Sequence, residues 1–400
     1  MANRILCSER VVNDTIYFID RSIEEELSAR TLKMEEEVFF QDLATAYRRG
    51  DCYLCGDLAS LDVLCRCQTG IAQNIYQVIK NRHLENGAAM NAVQRVFVLT
   101  YREEPSLASL PEILQNESKC CFIHIPTAIC ENWRLSAECC LLTENLDDIE
   151  FYLFMAKYYC LKRQIPHQRI GFHRENGGGN TTCDVLGKCV VQDKVPVLCL
   201  VDSDRKHGAS KAYPNGPAIG DTLNRVQKMA KWLAAHNVCP PYHMFPLHVH
   251  EIENLIPTQL LRKLCQESLP DMRPRLERVV ELQNVRGGEP LLYYDYKEGF
   301  PYIKNAPQRS YWEEVLLELG GEPSSMPPQD KPERGTYCPD ALFFPPLNGK
   351  LLDHTLKTIK SAEGDMILKT LRIDDYLKSI WDDVGTQMLT WGYVNDPIRA

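Results

Sequence analysis

The run Val195-Pro196-Val197-Leu198-Cys199-Leu200-Val201 contains no polar side chain and stops at Asp202. A strand with one face in water alternates apolar and polar residues. A run that is apolar at every position is buried on both faces, the situation of a parallel sheet covered by helices on each side. Cys139-Cys140-Leu141-Leu142-Thr143 ends in the same way at Glu144, and the looser run Tyr242-His243-Met244-Phe245-Pro246-Leu247-His248-Val249-His250 is followed by Glu251 and Glu253. The carboxyl ends of parallel strands converge on one edge of an α/β sheet, where ligands bind, so acids distant in sequence are expected to meet there. Clustered carboxylates repel and raise one another's pKa unless a cation offsets them, which predicts a hard divalent ion, Mg2+ or Mn2+, with oxygen ligands.

Between these runs the periodicity alternates. It predicts a helix from Asp147 to about Arg163, a strand over Arg169–His173, a turn at Gly177-Gly178-Gly179, a short helix near 182–191 and a helix from Asp221 to Ala235. This βαβα rhythm marks residues 138–258 as a small doubly wound domain with a mainly parallel sheet. Residues 1–137 read as a separate α/β domain, with strands over Thr15–Ile19, Arg95–Leu99 and Cys120–Ile125 and helical segments around 22–48 and 69–83. Residues 259–400 read as mostly helical, with loops at Gly287-Gly288 and Gly320-Gly321 and a proline-rich stretch from Pro323 to Pro339.

A chain of 400 residues, 44% hydrophobic and 25% charged, has an ordinary globular composition with material for two or three cores. No basic leader precedes a long apolar run at its start, and no stretch reaches membrane-spanning length, so a cytosolic protein is expected. Its seventeen cysteines suit reduced, mostly buried thiols in that compartment. Cys52, Cys55, Cys65 and Cys67 offer four thiolates, but the spacing of the second pair and the apolar setting of the first favour core cysteines over zinc ligands. The net charge of −9 argues against a globally basic nucleic-acid surface and leaves room for local basic grooves, such as Arg225, Lys228 and Lys231 in the 221–235 helix.

Taken together, Glu144-Asn145-Leu146-Asp147-Asp148 after a strand, the glycine turn, and Asp202-Ser203-Asp204 at the end of a later strand resemble the Toprim domain of topoisomerases, primases and related nucleases. In that family the first strand ends in Glu-Gly with an acid four residues after the Glu, and a later strand ends in Asp-x-Asp. Glu144, Asp148, Asp202 and Asp204 fall on those positions, and Asn145 departs from the usual glycine while keeping tolerance for a left-handed backbone. The stretch His250-Glu251-Ile252-Glu253-Asn254 adds a similarity to Toprim-like proteins that accompany ATPases in bacterial phage-defence loci. The resemblance covers residues 138–258. It implies a Toprim-like sheet, a Mg2+ or Mn2+ site drawn from Glu144, Asp148, Asp202, Asp204, Glu251 and Glu253, and cleavage of DNA or RNA phosphodiesters.

In this reading Glu144 is a metal ligand or the general base and acid, and Lys206 or Lys297 neutralises charge developing on the phosphate. Asp295 and Lys297, within Tyr293-Tyr294-Asp295-Tyr296-Lys297, are candidates to join the site, with the tyrosines available to stack on bases. No phosphate-binding loop for ATP hydrolysis is present in the sequence, so restraint is expected from a partner ATPase or sensor, or from assembly into an oligomer. Three other readings compete. His248-x-His250 with Glu251 or Glu253 suits zinc or manganese. Asp202-Ser203-Asp204 also resembles the metal and nucleotide-sugar motif of glycosyltransferases. A Toprim-type fold without catalysis would serve as a binding or regulatory subunit.

Overall fold

A computed structural model of the chain describes residues 16–116, 118–165, 169–208, 220–236, 241–300, 306–322, 345–394 and 396–398. Thr15 of the first anticipated strand and the proline-rich stretch from Pro323 to Pro339 lie outside these residues. Two compact units divide the chain: Met1–Leu200 with Val226–Phe245 and Val384–Ala400, and Val201–Arg225 with Pro246–Asp383. This division cuts across the sequence regions bounded at 137 and 258: residues 138–200 fall in the first unit, 201–225 and 246–258 in the second, and the end of the chain returns to the first. Among the described residues no helix is long and apolar enough to cross a membrane.

The first unit is α/β and holds two four-stranded sheets. One contains β1 (Ile16–Ile19), β2 (Tyr53–Gly56), β3 (Val96–Thr100) and β4 (Cys120–His124) in the order β2-β1-β3-β4, with every pairing parallel. Helices α1 (Ser22–Ala29), α2 (Met34–Arg49), α3 (Leu58–Cys67), α4 (Gly70–Asn81) and α5 (His83–Ala92) connect these strands, and α6 (Ile125–Cys130) follows them. Tyr17, Ile19, Leu54, Phe97 and Leu99 point into one core, and Ile16, Phe18, Tyr53, Cys55, Val96 and Val98 into the other. Both faces are therefore dry, which is why these strands read as continuous apolar runs. Cys52 and Cys65 belong to the first core and Cys55 to the second, so the thiols of the Cys52-x-x-Cys55 pair lie on opposite faces of the sheet.

The second sheet contains β5 (Cys140–Thr143), β7 (His173–Asn176), β8 (Val197–Val201) and β9 (Tyr242–Pro246) in the order β7-β5-β8-β9, with β5 parallel to both of its neighbours. Counted along the chain, both sheets run second, first, third, fourth. The strand expected over Arg169–His173 is split: β6 (Arg169–Ile170) leaves the sheet to pair antiparallel with β10 (Tyr393–Val394). Helix α7 (Leu146–Lys162) follows β5, α8 (Thr182–Gly187) precedes β8, and α9 (Asp221–Ala235) starts in the second unit and ends in the first.

Glu36 illustrates how charge holds the first unit's helices. Its buried carboxylate accepts the N–H groups of Arg30 Nη1 and Nη2 at 2.7 Å each and the Lys33 N–H at 2.8 Å at the start of α2. Burial alone would raise its pKa, but these donors outweigh it and hold the group below its ordinary value. A depressed folded-state pKa contributes stability that is present above the unfolded value and is lost as pH falls through the folded one. Glu36→Gln is expected to destabilise the protein by roughly 1.5–3 kcal/mol at pH 7. The gap from the wild type should close in acid, and urea unfolding at pH 7 and pH 3.5 checks this. A gap that stays constant would show that the ion pair is not its source.

The second unit is mostly helical, with α10 (Thr258–Glu267), α11 (Arg273–Val280), α12 (Ala306–Glu318), α13 (Leu351–Ile359), α14 (Gly364–Thr370) and the first turns of α15 (Lys378–Gly392). Tyr294, Phe300 and Trp312 pack edge-on or tilted in its core, with Phe300 and Trp312 ring centroids 4.6 Å apart.

Candidate metal centre

Three segments of the second unit are stitched together by backbone hydrogen bonds. The N–H of Leu247 donates to Val201 O at 2.8 Å, that of Asp204 to His250 O at 2.9 Å, and that of His250 to Leu292 O at 2.7 Å. Buried Ser203 donates its hydroxyl to Val249 O. The side-chain amide of Asn254, also buried, donates to Leu291 O and Tyr294 O at 2.7 Å each. Asn254 thereby pins the loop carrying Asp295 beside residues 250–254. The end of β8, the stretch after β9 and the Asp295 loop become neighbours by these bonds.

At their junction His250, Glu251 and Asp295 each offer one donor atom, and the three atoms lie within 4.8 Å of one another. His250 Nε2 is 3.4 Å from Asp295 Oδ2 and 3.9 Å from Glu251 Oε1. His250 is only 2% exposed, yet neither ring nitrogen has an aligned hydrogen bond. A buried polar group left in that state costs on the order of 1–3 kcal/mol, and a cation bound between the three donors removes it for the one ring nitrogen it meets. The residues therefore fit a divalent metal, with one imidazole and two carboxylates as ligands.

Two lysines face the same cluster. Lys297 Nζ lies 3.1 Å from both Glu251 Oε2 and Glu253 Oε1, and Lys206 Nζ is 3.6 Å from Asp295 Oδ2. Burial works against the Lys297 charge, but Glu253 and Glu251 outweigh it and hold its pKa above the ordinary lysine value. Burial also raises Asp204 and Glu253, with the Glu251 charge pushing in the same direction. Asp295 goes the other way: burial would raise it, but His250, the Glu298 N–H and Lys206 together bring it below the usual range. Neighbouring carboxylates are thus driven apart in proton affinity, the pattern found where one group must carry a proton and another must stay ionised.

Comparison of the chain with protein-family models, with curated proteins and with solved structures found no match. The site is therefore read from its own geometry.

Of the residues expected from the sequence, the second unit gathers Asp202, Asp204, Lys206, Glu251, Glu253 and Lys297. Asp202 Oδ2 accepts the Ile252 N–H at 3.0 Å, tying the Asp202-Ser203-Asp204 segment to the 250–254 segment. Asp204 has a left-handed backbone, φ 52°, a conformation that aspartate tolerates better than most residues. A Cβ at Gly220 would sit 1.7 Å from Asp204 Oδ2, so any other residue there must push this carboxylate from its present position. Gly220→Ala is expected to displace it and destabilise the protein by about 1–3 kcal/mol. Thermal unfolding with and without Mn2+ measures both effects, and an unchanged midpoint in each would refute the crowding.

Glu144 and Asp148 belong to the first unit, in which β5 and β8 are adjacent strands. Glu144 is half-buried, and its backbone carbonyl accepts the Gly178 N–H at 2.9 Å. Asp148 is buried, and its Oδ2 accepts the Asn145 N–H at 2.9 Å, so this carboxylate caps α7. Asn145 itself is extended, φ −136° and ψ 155°, at the N-cap. No left-handed tolerance is needed where the Toprim pattern has glycine; asparagine is favoured here as a cap. Gly177 and Gly178 spend their N–H groups on Thr143 O and Glu144 O, which makes the triple glycine a turn holding the end of β5.

Two other expectations meet a different setting in the structure. His248 is exposed, with Arg205 and Asp383 as its charged neighbours, and among the described residues the three-donor group contains His250 but not His248. Tyr293, Tyr294 and Tyr296 are 8%, 0% and 2% exposed, so they are core side chains unavailable for stacking on bases. Of the three grouped residues, His250 and Asp295 were the hardest to single out. Their signal in the sequence was a histidine beside two glutamates and an acid two residues before a lysine.

Proposed function

We propose that this chain is a metal-dependent nuclease whose centre is His250, Glu251 and Asp295. The observation that carries the reading is the convergence of these three donors within 4.8 Å, beside Lys297 and Lys206. An imidazole in the ligand set favours Mn2+ over Mg2+. A bound ion of this kind polarises a phosphodiester oxygen and lowers the pKa of an attacking water. Lys206, nearly half exposed, is placed to meet the phosphate from solvent. Asp204, with its raised pKa, is suited to carry a proton to or from the reacting oxygens. A net charge of −9 disfavours indiscriminate binding to polyanions and agrees with activity controlled by a partner protein.

One observation favours a second reading. Lys297 already bridges Glu251 and Glu253, so the acids have a cation without any metal, as expected of a non-catalytic fold. Incubating the purified chain with mixed DNA and RNA in Mn2+, in Mg2+ and in EDTA separates the two. Cleavage that depends on Mn2+ is expected. Intact substrate under all three conditions, with no Mn2+ bound in a calorimetric titration, would leave the second reading standing.

A further inference from the structure

A cleft of about 540 Å³ in the first unit, separate from the centre just described, combines an apolar floor with a cationic rim. Leu153, Lys157 and Cys160 follow one face of α7 at helical spacing, and Arg169, Ile170 and Arg174 come from β6 and β7. The volume lies in the range of small-molecule sites, roughly 300–1,000 Å³. Leu153, Cys160 and Ile170 are partly buried and form the floor. Burial pushes the Cys160 thiol up to about 11, so it stays protonated and adds no negative charge.

The rim decides what fits. Arg174 is paired with Glu150, and Asp396 also lines the cleft, but Lys157 and Arg169 have no ion pair among the described residues. Their side chains are exposed and open to a ligand, with Glu138 a further acid whose charge interacts with Arg169. A guanidinium fork and an ammonium lining one cleft match phosphate oxygens, the first bidentately and the second as a point charge. The apolar floor asks for a ligand with an uncharged, water-averse portion beside its phosphate.

We propose that this cleft binds a small phosphate monoester of nucleoside monophosphate size, its phosphate on Lys157 and Arg169 and its uncharged part against Leu153, Cys160 and Ile170. The test is calorimetric titration of the full chain with AMP, adenosine and inorganic phosphate, in EDTA and in the Asp295→Asn variant, so that the metal centre cannot supply the binding. Saturable AMP binding is expected, with adenosine and phosphate each at least about tenfold weaker, because each has only half of the contacts. Lys157→Ala and Arg169→Ala replace exposed side chains, leave the fold unchanged by circular dichroism, and should each weaken AMP about tenfold, the loss of one charge-assisted hydrogen bond. No saturable AMP binding would overturn the proposal. So would AMP affinity unchanged in both variants, or phosphate binding as tightly as AMP.

Discussion

Asp295→Asn and His250→Ala are each expected to weaken Mn2+ binding by about a hundredfold or more and to remove Mn2+-dependent cleavage, since one ligand is worth on the order of 3 kcal/mol. The asparagine variant is the sharper test because it changes little else. Asp295 Oδ1 accepts the N–H groups of Lys297 at 3.1 Å and Glu298 at 2.8 Å, and an amide oxygen can keep both bonds. Only the charge at Oδ2, beside His250 and Lys206, is removed. The folded state should therefore survive while the centre loses a ligand. Calorimetry with Mn2+ and the cleavage assay read the two consequences separately. Wild-type metal affinity in both variants would remove His250 and Asp295 from the centre, and wild-type cleavage with lost affinity would separate the metal from the chemistry.

How far the sequence could anticipate this centre depends on what each residue follows. β8 was legible because every residue in it is apolar and β5 because only its last residue, Thr143, is polar, and Asp202 was legible as the polar residue at which such a run stops. The sheet containing β1 was legible in three of its strands. β2 escaped because four apolar residues between helices cannot be told from a helix end by periodicity. Asp295 follows no strand, so reasoning from strand ends could not place it. Its position depends on the buried amide of Asn254, a contact between residues far apart in the chain. The pairing of β10 with β6 was invisible for the same reason: two residues carry no period, and only the folded chain brings Tyr393 opposite Ile170. Asp148 shows the converse ambiguity. An acid at the right spacing fits a metal motif and a helix cap equally well, and only the 2.9 Å bond from Asn145 reveals the capping role.

Trp312→Ala is expected to destabilise the protein by about 3–5 kcal/mol, the range for truncating a large buried aromatic. Trp312 is fully buried against Tyr294, Phe300 and Tyr311, with ring centroids 6.4, 4.6 and 5.3 Å away, so the cavity would open in the aromatic core of the second unit. It also does a second job. Its indole N–H donates to Lys206 O at 2.9 Å, anchoring the segment that carries Asp202, Asp204 and Lys206. Loss of the indole leaves that carbonyl without this donor and frees the segment from the core. Trp312→Phe separates the two contributions, because it keeps most of the packing and deletes the hydrogen bond at about 1 kcal/mol. The phenylalanine variant should unfold close to the wild type yet bind Mn2+ more weakly, through a looser Lys206 beside Asp295. Urea unfolding and Mn2+ titration of both variants decide the matter. If Trp312→Phe matches the wild type in metal affinity while Trp312→Ala loses only stability, the indole supports the core and has no part in holding the centre.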